Sequence, residues 1–399
     1  MVTIEKIYSY FTLRNFTTFV LVLFCIHYIP LETRASASMI KTAASAICCF
    51  VFIIKVPHVT KALVLSTIYF LTILFSAIFH METFRASTLL YLCSFLITFI
   101  TMYNLVHVTK VFTLEYFITI VRRLIYTLTI VLIIQQCFLI VGIKLFPPVN
   151  LCQILDRGIG ANSLTMEPSV FARMMGVFLY AYMECISFRN GFKFRFRQLF
   201  ETEHKWVTYS FLWSMFTMGS GTAFIVLGVL SLYFINWRNA LIIVPLLAGL
   251  VYVGSSMGIE QFDRAYNTTQ ATLTLDKETV GETDGSAVYR IGPMLNTITN
   301  LNLSKKEHWF GYGIDSGNAN KSERMIAEIT DYGFLAYLCG LLLVFTCSIR
   351  FWSLPTIMYF IGIGGGTGNI AYLWGILMVF MCIKYFYNQT FTNNETSKQ

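Results

Sequence analysis

Charge is what this sequence has least of. Asp, Glu, Lys and Arg make up only 13% of its 399 residues, about half the ~25% of an ordinary soluble protein. That scarcity excludes a water-soluble globular chain of this length. Cysteine is present but unorganised. Nine of the ten cysteines lie within or at the ends of apolar stretches, and Cys152 stands alone in a loop. With no CxxC or CxxH spacing, neither a disulfide framework nor a cysteine metal site is expected, and cysteine serves as a small hydrophobe. There is no Walker motif, no HExxH, no GxSxG and no haem or flavin signature, so the common nucleotide, zinc-protease and serine-hydrolase classes drop out. No inverted repeat or matched pair of broken helices relates the two halves, as a secondary transporter often shows. The first apolar run has no small-residue cleavage site beside it and is read as a retained span, not a signal peptide.

What remains is apolar: 56% hydrophobic and 16% aromatic residues, with a mean hydropathy of +0.64. The expected fold is an all-α, polytopic transmembrane helical bundle. About twelve spans are read, near 15–31, 38–54, 62–79, 87–107, 126–143, 169–188, 206–219, 221–236, 239–257, 331–349, 353–364 and 369–387. The eleventh stops short before GIGGGTGN, as half of a broken helix does. Sixteen lysines and arginines fall on one side. Six (Arg34, Lys41, Arg85, Lys144, Arg157 and Arg173) fall in short segments on the other. The positive-inside bias then places both termini in the cytoplasm, with FRNGFKFRFRQ (188–198) as the strongest inside marker. The net charge of +8 is spread over short loops, a topological pattern and not a nucleic-acid surface.

Three regions follow: spans one to nine over 1–257, including an outer loop at 144–168; a large outer loop at 258–330; and the C-terminal spans and tail over 331–399. About seventy polar residues are too many for a simple turn, so 258–330 is expected to form an ordered lid.

Ionisable residues concentrate at this outer face. In SLTMEPSVFARMMG (163–176), Pro168 suits the first turn of a helix and Glu167 suits the positive end of its dipole. Arg173 falls about one turn inside the span, where a cation is expensive unless paired or facing a wet cavity. TDGSAVYRIGPMLNTI (283–298) carries Arg290, whose planar fork suits phosphate, equally a solvated arginine on a lid helix. Lys305, Lys306 and Arg264 add positive charge nearby, and His308 and Tyr312 sit in HWFGYGIDSG (308–317). SERMIAEITDYGFLAYL (322–338) brings Glu323, Glu328 and Asp331 to a helix start, where one carboxylate can serve as a general base.

The order of these motifs resembles one family. EPSVFA comes first, then FTMGSGTAFIVLGVL (216–230), then GSAVYR, WFGYGI and an acidic helix ending AEITDYGFLAYL. The set is similar to the Wzy-type polysaccharide polymerases and the related O-antigen ligases, over about 160 to 350. The resemblance implies a bacterial inner-membrane glycosyltransferase of the GT-C type, working at the periplasmic face on O-antigen, capsule or other lipopolysaccharide and exopolysaccharide chains. It would move a glycan from undecaprenyl pyrophosphate to a sugar hydroxyl of another lipid-linked repeat unit, with inversion. No cofactor or metal is needed. Partners are the lipid-linked oligosaccharide, membrane lipid and a separate co-polymerase that regulates chain length. Arg290 matches the family's loop arginine and is the expected pyrophosphate clamp. Arg173, Glu167 and Glu328 complete the expected catalytic set; Lys305, Lys306, Arg264, His308, Tyr312 and Asp331 are expected to bind substrate.

Two positions depart from the family. Ser220-Gly221-Thr222 stands where many members have Ser-Arg-Thr, and Ser322-Glu323 where the ligases have His-Asn. An O-antigen ligase remains the nearest alternative, and a lipid-linked oligosaccharide flippase the alternative from another class.

Overall fold

The computed structural model describes residues 12–27, 34–143, 159–235, 292–314, 325–362, 364–366 and 370–396, with single positions at 245, 249, 252 and 256. In chain order the helices are α1 (Leu13–Cys25), α2 (Arg34–Lys55), α3 (Lys61–Phe79), α4 (Ala86–Tyr103), α5 (Leu114–Ile140), α6 (Pro168–Asn190), α7 (Lys205–Thr217), α8 (Gly221–Ser231), α9 (Gly292–Asn300), α10 (Lys306–Phe310), α11 (Ala327–Tyr332), α12 (Phe334–Cys347), α13 (Leu354–Ile357) and α14 (Ala371–Thr396). Among the described residues there is no strand, as expected for apolar spans that satisfy their own backbone groups in lipid.

Among the described residues five helices are long and apolar enough to cross a membrane: α3, α4 with its continuation to Val108, α5, α6 and α14. Helices α1, α8 and α12 are apolar but shorter. The expected span at 353–364 is instead the four-residue α13 running into a π turn at Met358–Gly362. Gly364 and Gly365 follow with φ of +78° and +74°, a left-handed exit that ends a helix. All of 144–158 and most of 239–257 and of the large loop lie outside the described residues.

Helix ends are closed by side chains chosen for the task. Thr12 Oγ1 accepts from Asn15 N at 3.2 Å to start α1, and Gly191, at φ +75°, closes α6 with its N–H on Ser187 O at 2.9 Å. Asn104, in the π turn after α4, donates to Val56 O (3.0 Å) and His58 O (2.9 Å) and accepts from Thr60 Oγ1 (2.8 Å), which fastens the α2–α3 connection. The C-terminus of α12 is capped from another helix. Lys384 Nζ donates to Phe345 O, Thr346 O and Ile349 O at 2.7, 3.0 and 2.9 Å, satisfying carbonyls a helix end leaves open.

Helix α6 is central, packed by α5, α8 and α14. Of its membrane-length stretch 94% is buried, against 33% for α3, so α3 lies at the periphery. With lipid as apolar as the core, packing and polar contacts decide these pairings. A Cβ on Gly375 of α14 would come within 2.6 Å of Phe24 O of α1, so only glycine permits that approach. Hydroxyls bridge neighbours: Thr98 Oγ1 donates to Ser45 Oγ (2.8 Å) and Thr101 Oγ1 to Cys48 O (3.1 Å) between α4 and α2. Between α5 and α7, Gln136 Nε2 donates to Thr217 Oγ1 at 2.8 Å and Gln136 Oε1 accepts from Trp213 Nε1 at 3.1 Å.

Candidate functional site

Two polar clusters stand out against this apolar packing. The first is the mouth of α6. The turn before it is buried and pinned to α5: Ser163, at φ +50°, donates its hydroxyl to Leu128 O (2.6 Å) and its N–H to Gln135 Oε1 (2.7 Å). Asn162 Nδ2 donates to Thr165 O (2.6 Å), and Thr165 Oγ1 returns a bond to Asn162 O (2.7 Å). This rigid turn places Glu167 at the N-cap and Pro168 at the first helical position, as the sequence predicts.

Glu167 itself is exposed and accepts the Ser169 hydroxyl. No ion pair among the described residues joins it to Arg173. Arg173 as a whole residue is 9% exposed. Its Nη1 donates to Tyr372 Oη at 3.0 Å, while Nε is buried without a hydrogen-bond partner. A buried cation is expensive unless it is paired or faces a wet cavity, and here no described carboxylate offsets it. Tyr372 also lines a cavity of about 240 Å³ shared with His27, Lys41, Tyr91, Met166 and Ile370. Sequence reasoning counted Lys41 only as a topological charge and passed over Tyr372. The signal for Lys41 was its place inside the apolar run SMIKTAASAICC (38–49). Nothing in sequence marked Tyr372 as the partner of a residue 199 positions away.

The second cluster joins the two motifs of the C-terminal part. Gly311 (φ +81°, ψ −180°) and Gly333 (φ +92°, ψ 168°) occupy backbone conformations open essentially to glycine alone. There the chain segments WFGYG and TDYG cross in direct backbone contact. A Cβ on Gly311 would stand 2.7 Å from Tyr332 N, and one on Gly333 would run into Trp309 O. Tyr312 N donates to Thr330 O at 2.8 Å across the crossing. The end of α3 anchors it: Ser76 Oγ donates to Phe310 O, and His80 Nε2 meets Gly311 O at 3.0 Å.

Beneath the crossing Glu328 is buried and receives the Tyr69 hydroxyl of α3. Gly340 of α12 makes the room: a Cβ there would come within 2.7 Å of Glu328 Oε1. Asp331 is half-buried, with its carbonyl against Gly311. Lys305, Lys306 and Tyr312 are exposed. Arg290 and Arg264 lie outside the described residues.

His308 is buried within its own turn, where Nδ1 accepts from Asn302 N at 2.9 Å. That bond needs the neutral ring with its proton on Nε2. Burial pushes its pKa below the ordinary 6.5, Lys305 pushes the same way and Glu307 partly opposes. A depressed histidine contributes stability in full above pH 6.5 and loses it as pH falls toward the folded-state pKa, because the unfolded chain binds the proton first. The 302–310 turn is therefore expected to loosen below pH 6.5, read as a lower protection factor of the Asn302 amide after correction for the intrinsic pH dependence of exchange. His308→Gln should remove the pH dependence of that protection. Equal protection factors at pH 5 and pH 7.5 in the parent chain would contradict this.

The clusters are linked by one short piece of chain. Gly366 lies against Glu328, with a Cβ position 3.5 Å from Oε2, and Tyr372 is six residues on. Six residues span at most ~20 Å, which sets an upper bound on the separation of the two clusters. Together they offer a cation for an anionic group and a buried carboxylate for a proton. Among the described residues no group of three His, Cys, Asp or Glu side chains is placed to hold a metal ion. No protein-family model, curated protein or solved structure matches this chain.

Proposed function

We propose that this chain is a glycosyltransferase that polymerises lipid-linked glycan repeat units. The observation that carries this reading is the buried Arg173, with one hydroxyl partner and no described carboxylate beside it, at the mouth of a fully packed helix. A diphosphate on a polyprenyl carrier supplies the missing negative charge. The order of motifs supports the same reading, since WFGYG and TDYG, read together in sequence, meet in space.

The reaction follows from these groups. A hydroxyl oxygen of the acceptor sugar attacks the anomeric carbon of the donor from the face opposite the diphosphate. The carbon–oxygen bond to the diphosphate breaks, and its electron pair leaves on the lipid diphosphate. Arg173 stabilises that charge as it develops, and Glu328 is the carboxylate for the departing hydroxyl proton. Arg290 acts as a second clamp by the resemblance alone. In this reading the chain spans the bacterial inner membrane about twelve times, with both termini cytoplasmic. The 258–330 segment covers the site from the periplasm, and a co-polymerase sets chain length.

The test is a glycan ladder from the source bacterium with and without the gene. Loss of the ladder with a single repeat still on its surface acceptor supports a polymerase. Long polymer accumulating on the undecaprenyl carrier overturns it in favour of a ligase, and an unchanged ladder overturns both.

A further inference from the structure

Arg173 is not the only buried cation in this bundle. Lys41, on α2, is 3% exposed, and its Nζ has no hydrogen-bond partner. The nearest ring, Phe24, has its centroid 6.0 Å away, at the limit of a cation–π contact. An ammonium held in apolar surroundings is costly unless something meets it. What it faces is the cavity of about 240 Å³, several times the ~30 Å³ share of one water.

The lining of that cavity has a consistent sign. Among the described residues that line it there is no carboxylate. Tyr372 accepts from Arg173, which leaves its own O–H proton to donate, and no described residue takes it. The cavity thus presents an ammonium and a phenolic donor, with a guanidinium one hydrogen bond behind. An ammonium and a phenolic hydroxyl beside His27 and Tyr91, in a site walled by Phe95, Met166 and Ile370, suit an oxyanion carried on an apolar chain. Charge-assisted bonds from ammonium to phosphate oxygens are the strong kind.

We propose that this cavity is a phosphate subsite, in which Lys41 Nζ and the Tyr372 hydroxyl hold phosphate oxygens of a lipid diphosphate. The subsite rests on the glycosyltransferase reading only for the source of the phosphate. Lys41 is its specificity-determining residue, and Arg173, behind Tyr372, holds that hydroxyl in place from a second helix.

The test uses the full chain in nanodiscs of zwitterionic lipid. Separate arms are titrated with undecaprenyl diphosphate, inorganic pyrophosphate and phosphatidylglycerol, and binding is read by native mass spectrometry. Lys41→Met is expected to weaken undecaprenyl diphosphate about tenfold to hundredfold, the loss of a hydrogen bond to a charged group. Lys41→Arg should stay within a few-fold of the parent, and Tyr372→Phe should fall between. Melting temperature shows which variants are folded; if Lys41→Met is not, Tyr372→Phe carries the comparison. Binding of undecaprenyl diphosphate unchanged in the folded variants overturns the subsite, as does failure of all three probes to bind the parent chain. If phosphatidylglycerol alone binds, and does so through Lys41, the phosphate subsite stands while the glycosyltransferase reading loses its ligand. Binding is read without turnover, so an inactive preparation does not blur the two.

Discussion

Arg173→Ala is expected to abolish chain extension while leaving the protein folded in the membrane. Removing one preorganised group that stabilises transition-state charge costs about 10²–10³ in rate, enough to erase long chains from a glycan ladder. Arg173→Lys should recover little, because an ammonium keeps the charge but not the planar fork that meets two phosphate oxygens at once. The folding side of the argument separates function from stability. Truncating one partner of a buried ion pair is usually destabilising because it orphans the other charge. Here no described carboxylate faces Arg173, and only the Tyr372 hydroxyl loses a donor. The melting temperature of Arg173→Ala should therefore match or exceed that of the parent chain. A normal ladder from Arg173→Ala would sink the clamp. A marked fall in melting temperature would instead make Arg173 a structural residue.

Gly333→Ala is expected to do the opposite: it should break structure first and activity as a consequence. At φ +92° and ψ 168° the backbone sits where a side chain is strained by about 1–3 kcal/mol. The added methyl also meets the Trp309 carbonyl, backbone that has no rotamer to yield. Overpacking of this kind costs a further ~1–3 kcal/mol. The crossing of WFGYG with TDYG would open, and with it the seat of Glu328 beneath. Gly311→Ala should behave alike, since its Cβ would meet backbone of Asp331 and Tyr332. By contrast Gly228→Ala, on α8, has open space around its Cβ and should be neutral or slightly stabilising. Thermal unfolding of the three variants checks this directly. A Gly333→Ala chain as stable as Gly228→Ala would show that the crossing is not held as described.

Much of this was readable one residue at a time. Low charge and long apolar runs required helices, because lipid leaves no other partner for the backbone. Pro168 marked the first turn of α6, and the expense of Arg173 marked it as a residue needing a reason. WFGYG and TDYG were visible as separate motifs, but not as two halves of one crossing. Contact between 311 and 333 depends on where α3 and α12 carry them.

The sequence by itself therefore determined the class of the protein, the helical nature of its segments and the positions where a charge is out of place. Those properties follow from composition and local spacing. The tertiary structure alone decided the partners. Tyr372 came to Arg173 and Tyr69 to Glu328, Gly340 made room for a carboxylate, and Lys41 was left facing a cavity in place of an acid. Each pairing joins helices far apart in the chain, and no local rule of periodicity, capping or charge spacing extends across that distance. They were set when glycine contacts and interhelical hydroxyl bonds fixed which helices touch and at what depth.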